Sequence, residues 1–374
     1  MKKPLRITLY ILGFALLLAT VAGCSFLRLS PEFGASAKGK RLEKLEQSPN
    51  YYRGEFQNTV ETNMDIGFKG FAALIATRLF GDTDNQTPDW ELPVQKISTS
   101  KSDQVQDTAT VITWLGHSAF MIEIDGKRLL LDPMLGERAS PLSFLGPKRF
   151  AALPITAADM PRIDAILISH DHYDHLDYGS VQELASKTTH FYVALGVGAH
   201  LERWGVPAKK ITEMDWWEEA TFEGLTFAAT PSRHFSGRGL TDRMKTLWTS
   251  WVIRGRQDKI FFSGDSGYFD GFATIGEKYG PFDITLMECG QYNELWSAIH
   301  MMPEQTVQAH IDLKGKVLMP IHWGAFSLAM HGWTEPVERA TAKAQELGVT
   351  VATPLIGEPL ILHGEVPQQT WWRK

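Results

Sequence analysis

Cysteine is scarce in this sequence, positive charge is not in excess, and repeats are absent. Only Cys24 and Cys289 occur among the 374 residues. The 43 acidic residues outnumber the 37 lysines and arginines, and the net charge of −6 argues against a nucleic-acid binder that relies on a basic surface. No low-complexity tract interrupts the chain. With 44% hydrophobic and 11% aromatic residues the chain can bury a substantial core, which disfavours disorder and suits one large domain or two.

The longest apolar run near the N-terminus, Leu9 to Ala22, is too short to span a bilayer comfortably. It follows three basic residues: Lys2, Lys3 and Arg6. The run ends in Val21-Ala22-Gly23-Cys24, small residues before a cysteine, which resembles a bacterial lipobox. This pattern predicts that residues 1–23 are a lipoprotein signal peptide and that Cys24 is the lipidation site. An uncleaved anchor with an incidental cysteine is the alternative.

Lipid on Cys24 would hold the protein firmly at a membrane. Ser25 follows this cysteine, whereas lipoproteins retained at the inner membrane of Gram-negative bacteria usually carry aspartate there. We therefore expect an outer-membrane lipoprotein of the bacterial cell envelope that faces the periplasm. A lipidated Cys24 leaves Cys289 without a disulfide partner. Cys289 lies in the apolar run 284–289, which predicts a buried small hydrophobic side chain, with a catalytic thiol as the alternative.

An extension over residues 24–104 precedes the main folded domain, which we expect over residues 105–374. Residues 25–50 are mixed in charge and rich in glycine, serine and alanine, which indicates a tether. From Phe68 to Phe80, apolar residues recur at helical spacing and predict a helix packed on the domain. An apolar surface that touches lipid or guides a greasy substrate is the alternative.

Residues beyond 110 carry clear strand and helix patterns. Asp125-Gly126 predicts a tight hairpin turn, and Pro303 predicts the start of a helix that ends near Asp312. Residues 134–160, rich in proline and glycine, predict a long loop at the rim of an active site. The strands that we expect to matter for the site are 111–115, 120–124, 128–131, 163–168, 225–229, 259–262 and 317–321.

Five side chains of metal-ligand type follow one apolar strand. The run Ile163 to Ile168 leads directly into the segment that carries them: His170, Asp171, His172, Asp174 and His175. Neutral imidazole and carboxylate are the ligands that zinc and similar divalent ions take. The His-x-His spacing lets His170 and His172 reach one ion, and Asp174 and His175 can reach a second. A solvated polar loop is the alternative.

Other metal-ligand side chains also lie at or just beyond the ends of predicted strands: His234, Asp265 and His322. Strand ends along one edge of a sheet place loops side by side, so these distant side chains can converge on the 170–175 loop. We expect His170, His172 and His234 to hold one ion, and Asp174, His175 and His322 to hold the other. Asp265 would bridge two ions about 3.5–4 Å apart.

The motif His-x-His-x-Asp-His, followed by a strand-end histidine, a Gly-Asp and a final histidine, resembles the metallo-β-lactamase superfamily of metallohydrolases. Four shorter pieces are similar to the branch that holds N-acylphosphatidylethanolamine-hydrolysing phospholipase D, lactonase-like enzymes and bacterial outer-membrane relatives: Trp-Leu-Gly-His117-Ser, Leu-Asp132-Pro, His300-Met-Met-Pro-Glu and Ile-His322-Trp-Gly-Ala-Phe. The resemblance covers roughly residues 105–362. It implies an α/β (α+β) four-layer αββα sandwich with two zinc ions at one edge; iron or manganese can occupy similar ligand sets.

The implied chemistry is metal-dependent hydrolysis. Two divalent ions lower the pKa of a bridging water, and the resulting hydroxide attacks phosphorus or an acyl carbon. No Gly-x-Ser-x-Gly stretch follows a strand, which argues against a serine triad. The resemblance makes Asp174 and His300 catalytic candidates, His300 as a substrate contact or proton donor, with a surface histidine as the alternative. His117 and Asp132 are candidates to orient ligating side chains, and a core position is the alternative for His117.

Taken together, the sequence favours a lipid-anchored phosphodiesterase of phospholipase D type that acts on N-acylated phospholipids or similar phosphodiesters. A metal-dependent lactonase or carbon-ester hydrolase for a small anionic substrate is one alternative, and a non-catalytic envelope lipoprotein is another. The expected partners are a membrane and a phospholipid or small anionic ester, and no nucleic acid. His331 is expected on the rim, while Arg233 and Arg238 are candidate phosphate contacts or a solvated face. The remaining histidines are expected to be structural or exposed: His190, His200, His310 and His363.

Overall fold

The computed structural model describes residues 3–63, 85–98 and 109–374, so the apolar helix expected between Phe68 and Phe80 lies outside the described residues. The strands of the structure are β1 (Tyr51–Tyr52), β2 (Glu55–Phe56), β3 (Val111–Gly116), β4 (Ala119–Ile124), β5 (Lys127–Leu131), β6 (Ile163–Ile168), β7 (Thr188–Ala194), β8 (Ile211–Met214), β9 (Glu219–Phe222), β10 (Leu225–Thr230), β11 (Ser250–Arg254), β12 (Lys259–Phe262), β13 (Phe282–Glu288), β14 (Gly315–Ile321), β15 (Thr350–Val351) and β16 (Pro359–Ile361). The α-helices are α1 (Lys3–Leu29), α2 (Lys40–Glu46), α3 (Tyr178–Leu184), α4 (Gly198–Arg203), α5 (Gly271–Tyr279), α6 (Pro303–Asp312) and α7 (Glu335–Leu347).

The first large sheet has the strand order β16-β3-β4-β5-β6-β7-β8. Strands β3, β4 and β5 form an antiparallel meander, and β5 through β8 run parallel. Asp125 and Gly126 connect β4 to β5 with φ values of 50° and 74°, the left-handed conformation that the predicted tight turn requires. Parallel neighbours need a crossover connection: α3 links β6 to β7 and α4 links β7 to β8, whereas a long loop links β5 to β6.

The second large sheet repeats this plan, with the order β15-β14-β13-β12-β11-β10-β9. Its strands β9 to β12 are antiparallel, and β12 to β15 are parallel with α5, α6 and α7 in the connections. Both sheets therefore place several parallel strands with their carboxyl ends at one edge. This common edge is where the loops that carry metal-ligand side chains begin.

Three hydrophobic layers hold the sheets and helices together. Alternate residues of strands in both sheets, such as Phe120 in β4 and Phe262 in β12, meet in the central layer and are fully buried. The outer face of the first sheet packs on α3 and α4, where Val181 and Leu201 are buried. The outer face of the second sheet packs on α5, α6 and α7. The architecture is the αββα sandwich that the sequence predicts.

Residues 30–63 pack against the domain, which corrects the expectation of a tether over residues 25–50. Leu45 of α2 and Phe56 of β2 are buried in the core layer on the outer side of the first sheet. Trp204 Nε1 donates a hydrogen bond to the Pro31 carbonyl at 2.7 Å, and Arg41 forms an ion pair with Glu213 at 2.6 Å. A tether cannot be distinguished from such a segment by composition, because these contacts reach residues more than 150 positions away.

Among the described residues, no helix combines the length and the apolar character needed to cross a membrane. The helix α1 includes the apolar run from Leu9 to Ala22 and continues to Leu29. The aromatic pairs near the chain's end are core residues, since Trp371 and Trp372 are 8% and 2% exposed.

We expect His310 to make the stability of the fold depend on pH. Its ring is buried between α6 and β13, where Nδ1 shares a hydrogen bond with Thr285 Oγ1 at 2.7 Å, and burial lowers the pKa of His310 to about 4. An unfolded histidine has a pKa of about 6.5, so below that pH the unfolded chain takes up a proton that the native chain refuses. This contribution is complete above about pH 6.5 and is lost as the pH falls toward 4.

We expect His310→Asn to reduce the slope of the free energy of unfolding against pH between pH 7 and 4.5. The reduction should correspond to the uptake of up to roughly one proton on unfolding. Asparagine keeps a hydrogen-bonding atom near the position of Nδ1 but does not titrate. The measurement is urea unfolding of metal-free wild type and variant at several pH values, so that metal release does not contribute. Identical slopes for the two proteins would show that His310 does not carry the effect.

Candidate metal centre

The predicted ligands lie at carboxyl ends of strands from both sheets. The 170–175 loop follows β6, His234 follows β10, Asp265 follows β12 and His322 follows β14. Gly264 has a φ of 55°, and a Cβ at this position would lie 2.7 Å from the Cβ of Ser169. Glycine is therefore required where the chain after β12 passes the end of β6, and this close approach brings Asp265 to the 170–175 loop.

Several non-glycine residues at this edge have left-handed backbone conformations. His117, Asp132, Gln291 and His322 have φ values of 56°, 38°, 62° and 67°. Such conformations cost free energy and persist where the surrounding structure holds them, often at functional sites. Their concentration beside the ligand loops indicates that this edge is built for a site.

The first cluster contains three histidines and one aspartate. Nε2 of His170 lies 2.9 Å from Nδ1 of His172, and Nε2 of His234 lies 3.2 Å from the same atom. Oδ2 of Asp265 lies 3.8 Å from His170 Nε2 and 3.7 Å from His234 Nε2. All four ligand atoms fall within 4.8 Å of one another, so one cation can contact all of them.

The second cluster shares Asp265 through its other oxygen. Oδ1 of Asp265 lies 3.1 Å from His175 Nε2 and 3.2 Å from His322 Nδ1. Oδ2 of Asp174 lies 3.5 Å from His175 Nε2 and 3.9 Å from His322 Nε2. The structure thus brings together all seven residues of the predicted ligand set, with Asp265 between the two groups.

The donor atoms fit a pair of divalent cations. Three imidazoles hold a partner through Nδ1, which turns Nε2 into the clusters: His170 with Ser169 Oγ at 2.9 Å, His175 with Asp132 Oδ2 at 2.7 Å and His234 with the Ile299 carbonyl at 2.9 Å. Three buried cluster atoms have no hydrogen-bond partner: His175 Nε2, Asp265 Oδ1 and His322 Nε2. Unpaired buried polar atoms are costly, and cations would satisfy them. The nitrogen and oxygen donors suit zinc, and also iron or manganese.

Burial and neighbouring charges set the protonation states of the predicted histidine ligands. Burial lowers the pKa of His170 and His234 well below the ordinary value and that of His172 to about 4, so these imidazoles are neutral at pH 7, the form that coordinates metal. Burial would also lower the pKa of His175, but the carboxylates of Asp265 and Asp174 outweigh burial and raise it well above the ordinary value. Burial lowers the pKa of His322 well below the ordinary value, so His175 is the one predicted histidine ligand whose pKa is raised.

The carboxylates of the site also respond to this environment. Burial raises the pKa of Asp265 to about 6, against the attraction of His175. Burial would raise the pKa of Asp174 too, but the nearby His175 and the hydrogen bond from His117 hold it well below the ordinary value. Asp174 is therefore ionised at neutral pH and can bind a cation.

Asp132, His117 and Ser118 surround the second cluster. Asp132 accepts hydrogen bonds from His175 Nδ1 and from the Ser169 backbone N–H, both at 2.7 Å. His117 Nε2 donates to Asp174 Oδ2 at 2.9 Å, and Ser118 Oγ lies 3.0 Å from His322 Nδ1. Asp132 and His117 thus occupy the places that suit their predicted orienting roles, and Ser118 is an addition that the sequence reasoning did not include.

We expect Asp132→Asn to weaken metal affinity about 10- to 100-fold, because an asparagine can accept from only one of the two N–H groups that Asp132 now serves. The dissociation constants would be measured by competition with a chromophoric chelator. Asp164→Asn is the matched control, since Asp164 binds the Arg128 backbone N–H on the same sheet away from the site. Equal metal affinity in both variants and wild type would contradict the orienting role.

His300 lies beside the clusters and is held by a carboxylate that the sequence reasoning missed. Its Nδ1 donates to Glu288 Oε2 at 2.9 Å, and its side chain is 13% exposed, so it is not a surface histidine. Glu288 is fully buried and also accepts from the Met301 and Ser266 backbone N–H groups at 2.7 and 3.3 Å. Burial raises the pKa of Glu288 well above the ordinary value. The feature of the sequence that could have indicated Glu288 is its position as a single carboxylate near the end of the apolar run that forms β13.

A cavity of about 470 Å³ opens over the two clusters. Its floor carries His172, Asp174, Asp265, His300 and His322, and its walls are formed by Phe235, Arg243, Gln291, Trp296, Ile299 and Leu328. None of the described residues between 134 and 160 lines it, which corrects the expectation that this loop forms the rim. That loop instead contacts the segment after β14, where the Phe150 N–H donates to the Ala325 carbonyl at 2.9 Å.

The remaining candidates do not face this cavity. Arg233 donates to the Glu61 carbonyl and Arg238 to the Asp171 carbonyl, and neither lines the cavity as a phosphate contact would. Arg238 is 4% exposed, so it is not part of a solvated face. His331 accepts from the Gln291 backbone N–H at 2.8 Å and is not among the cavity residues. Cys289 is fully buried in the central layer, and burial raises the pKa of its thiol well above the ordinary value. Both observations agree with a buried small hydrophobic side chain. Among the other histidines, His200 and His310 are buried and His363 is exposed.

These features define the class: an αββα protein with paired histidine–aspartate clusters suited to divalent cations at one edge of its sheets. A family model described as "Beta-lactamase superfamily domain" matches residues 127–323. The chain belongs to the metallo-β-lactamase superfamily, in which it is a metal-dependent hydrolase related to N-acylphosphatidylethanolamine-hydrolysing phospholipase D. The predicted family and fold class are confirmed.

Three relatives illustrate the range of similarity. An uncharacterized protein of Mycobacterium tuberculosis is 42% identical over 344 residues, which cover 91% of each chain. N-acyl-phosphatidylethanolamine-hydrolyzing phospholipase D 1 of Caenorhabditis elegans is 32% identical over 277 residues, covering 71% of this chain and 76% of the relative. Outer membrane protein RomA of Klebsiella pneumoniae is 45% identical over 121 residues, covering 30% of this chain and 91% of the relative.

Solved structures share the fold at lower identity. A metallo hydrolase of the archaeon Ignicoccus hospitalis matches with a TM-score of 0.52 at 22% identity, over 69% of this chain and all of the other. A possible metal-dependent hydrolase of Veillonella parvula matches with a TM-score of 0.55 at 16% identity, over 68% of this chain and all of the other. At these identities the similarity concerns the fold alone.

Proposed function

We propose that this chain is a binuclear zinc phosphodiesterase of phospholipase D type, anchored to a membrane by lipid and acting on N-acylated phospholipids or similar phosphodiesters. The observation that carries the proposal is the convergence of seven ligand residues beneath a cavity that combines an apolar wall with a guanidinium group. The 32% identity to the phospholipase D of Caenorhabditis elegans supports this choice of substrate class.

Each cluster has a defined task in this proposal. His170, His172, His234 and Asp265 would hold one cation. Asp174, His175 and His322 would hold the other, with Oδ1 of Asp265 beside the two imidazoles. The cations, when bound, supply Lewis acidity to the phosphodiester and an acidified water as nucleophile. Nδ1 of His300 donates to Glu288, so Nε2 of that ring is left as a proton acceptor at the cavity. It can take the proton that the attacking water loses and pass it to the departing alcohol oxygen.

The walls of the cavity match the two ends of such a substrate. Phe235, Trp296 and Leu328 form an apolar surface that suits an acyl or alkyl chain. Arg243 also lines the cavity, and its guanidinium lies over the Phe235 ring at 4.7 Å. A guanidinium near the cations complements the negative charge of a phosphodiester.

The proposed location is the outer membrane, on the periplasmic side, with lipid attached at Cys24 after removal of residues 1–23. The apolar run in α1 and the small residues before Cys24 support this proposal. The printed name of the Klebsiella pneumoniae relative, an outer membrane protein, also supports it. Mass spectrometry of the mature N-terminus, isolated from membranes of a bacterial host, would test it: an unmodified Met1 start contradicts the proposal.

The enzymatic proposal is tested by incubating purified, zinc-loaded protein with vesicles that contain N-acylphosphatidylethanolamine and measuring phosphatidic acid. A panel of lactones and small anionic esters is assayed in parallel. We expect release of phosphatidic acid, its loss in His172→Ala, and its retention in His190→Ala, a histidine that pairs with Thr212 outside the site. Fully zinc-loaded protein that cleaves no phosphodiester, or that prefers a lactone, would contradict the proposal.

A further inference from the structure

The side chain of Asn58 brackets the backbone of the metal-ligand residue His234. Its Oδ1 accepts the His234 N–H at 3.1 Å, and its Nδ2 donates to the His234 carbonyl at 2.8 Å. The same Oδ1 accepts from Trp248 Nε1 at 3.1 Å, which fixes the carboxamide orientation. One side chain, 176 positions earlier in the chain, therefore satisfies both backbone groups of a ligand.

His234 needs such support because it lies beyond the last residue of β10, Thr230, and outside the strand ladder. A ligand on a loop keeps its geometry only if the surrounding contacts offset the conformational entropy of the loop. The ring is held from one side, where Nδ1 donates to the Ile299 carbonyl at 2.9 Å. Asn58 supplies the backbone contacts that a neighbouring strand would otherwise make.

Residues 30–63, which we call the N-terminal strap, also contact the other ligand loop. Arg238 donates to the Asp171 carbonyl at 2.5 Å and to the Glu32 carbonyl at 2.9 Å, so it joins the strap to the 170–175 loop. His200 lies between the Ala35 N–H, which donates to Nδ1 at 2.9 Å, and the Asp171 carboxylate at 3.2 Å. The strap therefore contacts the supports of both loops that carry the histidines of the first cluster.

We propose that the N-terminal strap is an integral part of the metal centre and that Asn58 is the positioning residue for His234. The inference goes beyond the proposed function, because it concerns how the first cation site keeps its shape and holds for any substrate. The strap begins directly after the last residue of α1. The segment that leads from the proposed anchor therefore also supports the metal ligands.

The test compares Asn58→Ala and Asn58→Asp with wild type in the full-length protein. Asn58→Asp keeps an acceptor for the His234 N–H and for Trp248, but replaces the donor to the His234 carbonyl by an oxygen that repels it. Asn50→Ala is the matched control, because Asn50 lies in the same strap and binds Asp215 at 3.0 Å instead of a ligand residue. The readouts are zinc dissociation constants from chelator competition and the visible spectrum of the cobalt-substituted protein, neither of which needs a substrate.

We expect both Asn58 variants to weaken one of the two zinc equivalents about 10- to 100-fold, to alter the cobalt spectrum, and to leave the other equivalent unchanged. Asn50→Ala should match wild type in both readouts. The proposal is overturned if the Asn58 variants bind both equivalents normally with an unchanged spectrum, or if Asn50→Ala loses metal equally. It is also overturned if neither Asn58 variant folds, because Asn58 then serves the domain as a whole. Loss of phosphatidic acid release plays no part in these outcomes, so the inference and the proposed function fail separately.

Discussion

Asp265→Asn is expected to lower kcat/KM by at least about 10³-fold, which corresponds to roughly 4 kcal/mol of lost transition-state stabilisation. Asp265 offers one oxygen to each cluster, with Oδ1 3.1 Å from His175 Nε2 and Oδ2 3.7 Å from His234 Nε2. Asparagine keeps one oxygen ligand, loses the negative charge and presents an N–H₂ group to the other cation. We therefore expect the metal content of the purified variant to fall from about two equivalents to about one.

Elemental analysis and steady-state kinetics on the same preparation test this result. Asp283→Asn is the matched control, because Asp283 is also a buried carboxylate of the second sheet. It lies at the start of β13 and accepts from the Lys259 backbone N–H and from Lys316. The control should keep both metal equivalents and wild-type activity. An Asp265→Asn protein with two equivalents and near-normal kcat/KM would remove the bridging role from Asp265.

Removal of metal by a chelator is expected to abolish at least about 99% of the activity and to lower Tm by roughly 5–10 °C. The activity should fall because, in the proposed function, the cations would supply the nucleophile and the Lewis acid. Tm falls because ligands that bind only the native state stabilise it, and because the metal-free site leaves buried atoms unpaired, including His175 Nε2 and Asp265 Oδ1. Zinc added back should restore both quantities.

Differential scanning calorimetry and the vesicle assay would follow chelation and reconstitution. Asp265→Asn serves as the reference, since a protein with one weakened site should show a smaller change of Tm on chelation. Magnesium should restore little activity, because it prefers oxygen ligands and the clusters contain mainly imidazole nitrogen. Full activity in protein shown to contain no transition metal would contradict the assignment of the clusters as a catalytic metal centre.

Local patterns account for the elements that the sequence predicts well. The spacing from Pro303 to Asp312 matches the bounds of α6, and the apolar run from Ile163 to Ile168 matches β6. The turn at Asp125-Gly126 has the expected left-handed conformations. In each case the cause lies within a few residues: a proline at the first helical turn, a buried run of branched side chains, or a pair of residues that tolerate positive φ.

Contacts between distant segments account for what the sequence reasoning missed. The composition of residues 25–50 indicated a tether, yet Leu45 is 1% exposed against the first sheet. In the sequence, Glu288 lies within an apolar run, and no nearby residue indicates that its Oε2 lies 2.9 Å from Nδ1 of His300. The 134–160 loop has the composition of a rim, but its Phe150 N–H bonds the Ala325 carbonyl and none of its residues lines the cavity.

The sequence by itself predicted which seven side chains converge at one edge of the sheets, because their residue types and their positions after apolar strands are local features. It also determined the family and the order of most strands and helices. Only the tertiary structure decided which oxygen of Asp265 faces which histidines, that Glu288 holds His300, and that Asn58 holds His234. The physical reason is that these contacts join residues far apart in the sequence, so no local pattern predicts them. Only the packing of the two sheets and the N-terminal strap brings them within hydrogen-bonding distance.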